Sequence, residues 1–173
     1  LAFAVKSNPN LAVLRVLAKE GYGADVVSGG EMDRALAAGM PGADIVFSGV
    51  GKTQAEMAAA LDAGLGQFNL ESEEEGVELA AIAAARGLIA TAALRVNPDV
   101  DAGTHAKIST GKAENKFGVA YDRAAGIYAR LSALPGLAMR GLAVHIGSQI
   151  TDLEPSRAAF VKLGALMQVL RAQ

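Results

Sequence analysis

The chain has 173 residues, of which 51% are hydrophobic and 20% charged, with a formal net charge of −2 and no cysteine. This composition excludes a disordered chain and a domain-wide basic face for nucleic acid, and the length fits one domain. Without cysteine there is no disulfide staple, no zinc–thiolate centre and no cysteine nucleophile, which agrees with a reducing compartment such as the cytoplasm. The most apolar stretch, residues 79–96, is cut by Arg86, Gly87 and Arg95, so no segment reads as a membrane span. The chain begins on Leu1 and stops at Gln173 inside a helical pattern, so we expect an interior piece of a longer protein.

The first strand is predicted over residues 2–6, followed by Ser7-Asn8-Pro9-Asn10. Asn8 suits a helix cap with Pro9 in the first turn, where a missing N–H is harmless. Leu11, Leu14 and Ala18 then share one helical face until Gly21 ends it. A strand follows over 24–28, a helix over 31–38, a strand over 44–48 and a helix over 53–63. Next come a strand over 67–70 and a helix over 73–86, whose acidic run Glu71, Glu73, Glu74, Glu75 suits a helix's first turn and implies no metal. One further strand lies within 89–96 and another within 139–146. The last helix starts near Glu154 and runs to the end.

Repeated βα units imply parallel strands joined by helical crossovers. Each strand ends near a polar residue: Lys6, Ser28, Ser48, Glu71, Arg95 and His145, at intervals of 22, 20, 23, 24 and 50 residues. That evenness favours an eight-stranded (β/α)8 TIM-type barrel, in which the C-terminal strand ends form the floor of the active site. An open doubly wound sheet is the competing α/β arrangement, but no Gly-x-Gly-x-x-Gly opens any helix. The leucine–asparagine consensus of a leucine-rich horseshoe is absent too. A complete barrel takes about 250 residues. The expected fold is therefore a partial barrel of about six parallel strands, with residues 1–173 forming one part of a barrel domain and no second domain.

Lys6 is either an amine desolvated enough to form an imine with an aldehyde cofactor, or a lysine running out into solvent. His145, one of only two histidines, can stack on a flat ring or move protons, or it is a hydrogen-bonded core histidine. Gly147 after it lets a ligand approach the backbone, and Ser148 offers a hydroxyl to a phosphate or ring oxygen. Asp25, Ser28 and Glu31 cluster at a second strand end, where Gly29-Gly30 reads as an anion-facing helix start or simply a capped turn. Arg95 binds an anion or a cofactor, or pairs with Glu71 of the neighbouring strand. Between Asn97 and Phe117 a polar, glycine-bearing stretch without helical periodicity holds the excess of the last interval and reads as a functional loop.

Taken together, these motifs resemble the fold III pyridoxal-phosphate-dependent decarboxylases, which share the alanine-racemase barrel. Phe3-Ala4-Val5-Lys6-Ser7-Asn8 is similar to the family's (Y/F)AVKAN signature. Asp25-Val26-Val27-Ser28-Gly29-Gly30-Glu31 is similar to its D-x-x-S-x-x-E segment, and His145-Ile146-Gly147-Ser148 to its H-(I/V)-G-S. Arg95-Val96-Asn97-Pro98, with Thr104-His105, Ile108, Thr110-Gly111 and Lys116-Phe117-Gly118, resembles the branch that acts on diaminopimelate. The resemblance implies that Lys6 carries pyridoxal 5'-phosphate as an internal aldimine, that His145 stacks on the pyridine ring and that Ser148 lies near the phosphate. Asp25, Glu31 and Arg95 would belong to the polar network around the cofactor. It further implies decarboxylation of meso-2,6-diaminopimelate to L-lysine and CO2, a homodimer whose two subunits build each site, and more site residues beyond Gln173. Sister decarboxylases of ornithine, arginine or carboxynorspermidine, and a non-catalytic decarboxylase-like regulator, are the alternatives.

Overall fold

The structure, a computed structural model, describes residues 1–100, 117–148 and 150–172. Most of the loop expected between Asn97 and Phe117, with Thr104, His105, Ile108, Thr110, Gly111 and Lys116, lies outside the described residues, as does Gln149. The elements run β1 (Ala2–Ala4), α1 (Leu11–Lys19), β2 (Gly23–Val26), α2 (Gly29–Ala37), β3 (Ile45–Phe47), α3 (Gln54–Asp62), β4 (Gln67–Leu70) and α4 (Glu73–Ala85). They continue with β5 (Ala90–Asn97), β6 (Val119–Ala120), α5 (Tyr121–Ser132), β7 (Leu137–Ala143) and α6 (Glu154–Arg171).

Every strand pairing is parallel, and β1 to β5 lie side by side in chain order. β7 takes the other edge of β5 over Ala90 to Arg95, with a bulge at Arg140, and the two-residue β6 pairs with Val96 and Asn97. Alternation along the strands sorts the side chains onto two faces. Ala24, Val26, Ile45, Phe47, Phe68, Leu70 and Leu94 are buried in one core with Leu14, Met32, Met57, Leu79 and Leu131 of the helices. Phe47 and Phe68 stack in it with centroids 6.3 Å apart. The opposite face presents Asp25, Val46, Gln67, Asn69 and Arg95 to the inside of the curved sheet. This is the α/β architecture of a partial barrel.

Three successive βα turns close in the same way. Ser28, Thr53 and Ser72 each cap a helix by accepting from the backbone N–H three residues on, at Glu31, Glu56 and Glu75. That is the Ser/Thr-x-x-Glu capping pattern, and it fixes how each strand end turns into its helix.

Several local expectations are corrected. β1 ends at Ala4, and Val5–Ser7 forms a 3-10 turn, so Lys6 stands on a turn just past the strand. Asn10, not Asn8, caps α1 by accepting from Ala12 N–H; Asn8 instead accepts from Asn10 N–H, which leaves Pro9 outside the helix. β7 starts and stops earlier than expected, because its pairing with β5 runs out at Ala143 opposite Arg95. α5 and β6 are not expected from the sequence reading at all. Ala124, Ile127 and Leu131 do recur at helical spacing and are buried. Gly126 and the lack of any side-chain cap blunt that signal. The 50-residue interval before His145 therefore holds a full helix, α5, besides the residues that lie outside the described ones. Among the described residues no helix is long and apolar enough to cross a membrane.

Candidate active site

The inward face ends in a cavity of about 700 Å³ at the C-terminal ends of the strands. Lys6, Asp25, Ser48, Asn69, Arg95 and His145 line it, with Val144 and Phe117 among its apolar walls. Lys6 follows β1, at one end of the strand order, and His145 follows β7, at the other. Two residues that far apart along a sheet share a cavity because the sheet curls. Val5, fully buried next to Lys6, anchors the turn that carries the amine.

A polar ladder crosses the cavity floor. Ser48 Oγ donates to Asp25 Oδ1 at 2.5 Å, Asn69 Nδ2 donates to Ser48 Oγ at 2.9 Å, and Gln67 Nε2 donates to Asn69 Oδ1 at 2.8 Å. These bonds fix the Asp25 carboxylate at the strand end. Gln67 and Asn69 escape a motif search, yet their alternation with Phe68 and Leu70 marks them as inward-facing.

Arg95 pairs with Glu71, as one reading of its position has it, and it also lines the cavity. Its Nη1 donates to Glu71 Oε1 at 2.6 Å, and its Cζ lies 5.3 Å from the centroid of the Phe117 ring. Glu71 Oε2 accepts from the Gly118 N–H at 2.9 Å. Gly118 has φ +74, and a Cβ there would sit 2.9 Å from the Arg95 carbonyl oxygen, so the approach requires glycine.

His145 sits at the mouth, where partial withdrawal from water holds its imidazole pKa below the usual histidine range. The cations Arg95 and Lys6 act in the same direction, while Asp25 and Glu71 oppose them. The ring is thus neutral near pH 7.

Glu31 and Ser148 are not among the cavity-lining residues. Glu31 Oε2 accepts from the Val27 N–H at 2.9 Å, so its carboxylate braces the turn between β2 and α2. Ser148 is exposed, three residues beyond His145 and directly after Gly147. The turn at Gly29-Gly30 is a capped one: the Gly29 N–H donates to Glu56 Oε1 at 2.8 Å, an anion supplied by the chain itself. This bond, with the Thr53 N–H, holds the Glu56 carboxyl below the usual carboxylate range.

Lys52 is a buried cation that sequence reasoning missed. It donates to Glu75 Oε1 at 2.6 Å, to the Gly49 carbonyl at 2.7 Å and to the Asn69 carbonyl at 2.8 Å. Its partners lie up to 23 residues away, so no local pattern reveals the pair.

Residues 1–173 match the family model described as pyridoxal-dependent decarboxylase, pyridoxal binding domain. The chain is 55% identical over 170 residues to the diaminopimelate decarboxylase of Zymomonas mobilis, an alignment covering 98% of this chain and 40% of that protein. It is 54% identical over 171 residues to the diaminopimelate decarboxylase of Pseudomonas fluorescens, covering 98% and 41%. Among solved structures, the diaminopimelate decarboxylase of Helicobacter pylori complexed with L-lysine matches with a TM-score of 0.96 at 42% identity, over 99% of this chain and 43% of that one. The chain spans about two-fifths of the length of these curated relatives.

Proposed function

The chain belongs to the pyridoxal-dependent decarboxylases, as their pyridoxal-binding domain, and on that premise we propose that the whole protein converts meso-2,6-diaminopimelate to L-lysine and CO2. The observation that carries this reading is the sharing of one cavity by Lys6 and His145. Identities of 55% and 54% to diaminopimelate decarboxylases support the substrate.

The residues present suit pyridoxal phosphate. The cavity volume lies within the usual range for small-ligand sites. It offers an amine, a neutral imidazole, a braced carboxylate and a guanidinium. Pyridoxal phosphate supplies, when bound, an aldehyde that condenses with amines and a ring system that takes up the electron pair left when the bond from Cα to the carboxylate breaks.

Within that chemistry Lys6 Nζ is the amine that would hold the cofactor. His145, kept uncharged, offers a flat face for the ring. Asp25, with one oxygen accepting from Ser48, keeps its other oxygen as an acceptor toward the cavity. Arg95 provides positive charge for an anionic oxygen. Glu31 acts through the turn it braces behind Asp25, and Ser148, exposed three residues beyond His145, is the hydroxyl we assign to the phosphate. Phe117 and Val144 add apolar wall beside these groups.

The protein would work as a homodimer in the cytoplasm, on a free amino acid. The test is CO2 release by the full-length protein with pyridoxal phosphate. Turnover of meso-2,6-diaminopimelate well above that of ornithine, arginine and carboxynorspermidine is the expected result. Preference for one of the others would replace the substrate, and no turnover of any would leave a non-catalytic relative.

A further inference from the structure

We propose that Glu71 is a positioning residue, which holds Arg95 by one nitrogen so that the remainder of the guanidinium serves the cavity as an anion-binding edge. The inference rests on the functional reading above and extends it to a residue that does not line the cavity. Glu71 stands directly after β4, with its side chain 5% exposed. Both of its oxygens are committed, Oε1 to Arg95 Nη1 and Oε2 to the Gly118 N–H. A carboxylate spent in this way acts only through what it holds.

It is itself held from behind. The Glu71 N–H donates to Glu75 Oε2 at 2.7 Å, and the other oxygen of Glu75 bonds Lys52. A chain of contacts thus runs from the buried lysine to the cavity wall, through Glu75, Glu71 and Arg95.

Arg95 is constrained on two sides, by Glu71 at Nη1 and by the Phe117 ring, over which its Cζ lies. Its Nε and Nη2 have no acceptor among the described residues, and its side chain is 15% exposed where it lines the cavity. Guanidinium N–H groups left over in a fixed plane are suited to an anionic oxygen, because the fork geometry is already set. The ligand is therefore an oxyanion: a carboxylate of the amino-acid substrate, or a phosphate or phenolate oxygen of the cofactor. Glu71 also tempers the cation. Without the carboxylate, Arg95 would present its full charge beside Lys6 and His145 and lose its fixed direction.

The experiment is a double-mutant cycle in the full-length protein with Glu71→Gln and Arg95→Gln, reading cofactor Kd by absorbance titration and substrate KM and kcat with whichever amino acid is turned over. Glu71→Gln is expected to raise one of the two constants by about 10- to 100-fold and to cause no further loss in the Arg95→Gln background, since coupled residues are not additive. A rise in cofactor Kd assigns the oxyanion to the cofactor. A rise in KM at unchanged cofactor Kd assigns it to the substrate. Losses that add, or a Glu71→Gln protein with both constants of the parent, overturn the proposal. A merely structural Glu71 would lower the thermal midpoint and add to Arg95→Gln. Should Glu71→Gln fail to fold, Glu71→Asp, which withdraws the same charge by one methylene, carries the same cycle. If the parent binds cofactor but decarboxylates nothing, the functional reading fails, while the cofactor arm still decides the role of Glu71: without its rise in Kd, the proposal falls too.

Discussion

Replacing Lys52 by methionine keeps the aliphatic stem and removes the ammonium from the middle of the βα rim. Three acceptors lose their donor: Glu75 Oε1 and the carbonyls of Gly49 and Asn69. The side chains of the pair are 2% and 11% exposed, so the discount that applies to surface ion pairs does not apply here. Removing one partner of a buried pair costs about 3–5 kcal/mol. Glu75 keeps two favourable contacts, the Glu71 N–H and the N-terminus of α4, and that retention offsets about 1 kcal/mol. The expected loss is therefore about 3 kcal/mol. The assay is urea and thermal unfolding of the full-length protein, with Lys52→Met compared with Lys52→Met/Glu75→Gln. The double variant removes the uncompensated charge yet still accepts from Glu71, and it should recover more than half of the loss. A single variant costing under about 1 kcal/mol, or a double variant no better than the single, would refute the reasoning.

Three further outcomes are expected. Gly136→Ala should cost more than about 2 kcal/mol, because its φ of +81 disfavours a side chain and the new Cβ would lie 2.6 Å from the Ala80 carbonyl oxygen. Gly87→Ala, at φ +67 with nothing within 4 Å, should cost only about 1 kcal/mol, so equal urea midpoints for the two variants would contradict this account. Because the His145 pKa is lowered in the folded state, the unfolded chain takes up its proton first as pH falls. This contribution to stability is present above about pH 6.5 and is lost as pH drops toward the folded-state pKa; His145→Gln should flatten the urea midpoint over that window, and an unchanged slope counts against it. The 173-residue chain by itself, supplied with cofactor, should release no lysine from meso-2,6-diaminopimelate, and measurable lysine by amino-acid analysis would show that it holds a sufficient site.

What was legible in the sequence follows from how local each signal is. β4 spans Gln67–Leu70 and α4 starts at Glu73 as expected, since alternation or an acidic first turn needs no partner, whereas α2 starts at Gly29, two residues before the expected Glu31, because Ser28 caps it. Lys6, Asp25, Arg95 and His145 were readable as rim residues because each stands at or just beyond a strand end, and all four line one cavity. Other features depended on distant partners. α5 carries an interrupted apolar face with no cap, and Lys52 becomes a buried cation only when β3, β4 and α4 have come together. Asn8 and Asn10 are equally good caps by type. The Asx turn that Asn8 makes with Asn10 decides between them, and that is a matter of backbone geometry.

The proposed activity requires the Lys6 amine, which shares a cavity with His145, to be the group that holds the cofactor. Borohydride reduction of the full-length protein loaded with pyridoxal phosphate, followed by peptide mapping, tests it most directly. A pyridoxyl group on Lys6, and none in a Lys6→Ala variant, is the expected result. Label on another lysine, or no label on a protein that nevertheless binds the cofactor, would contradict it.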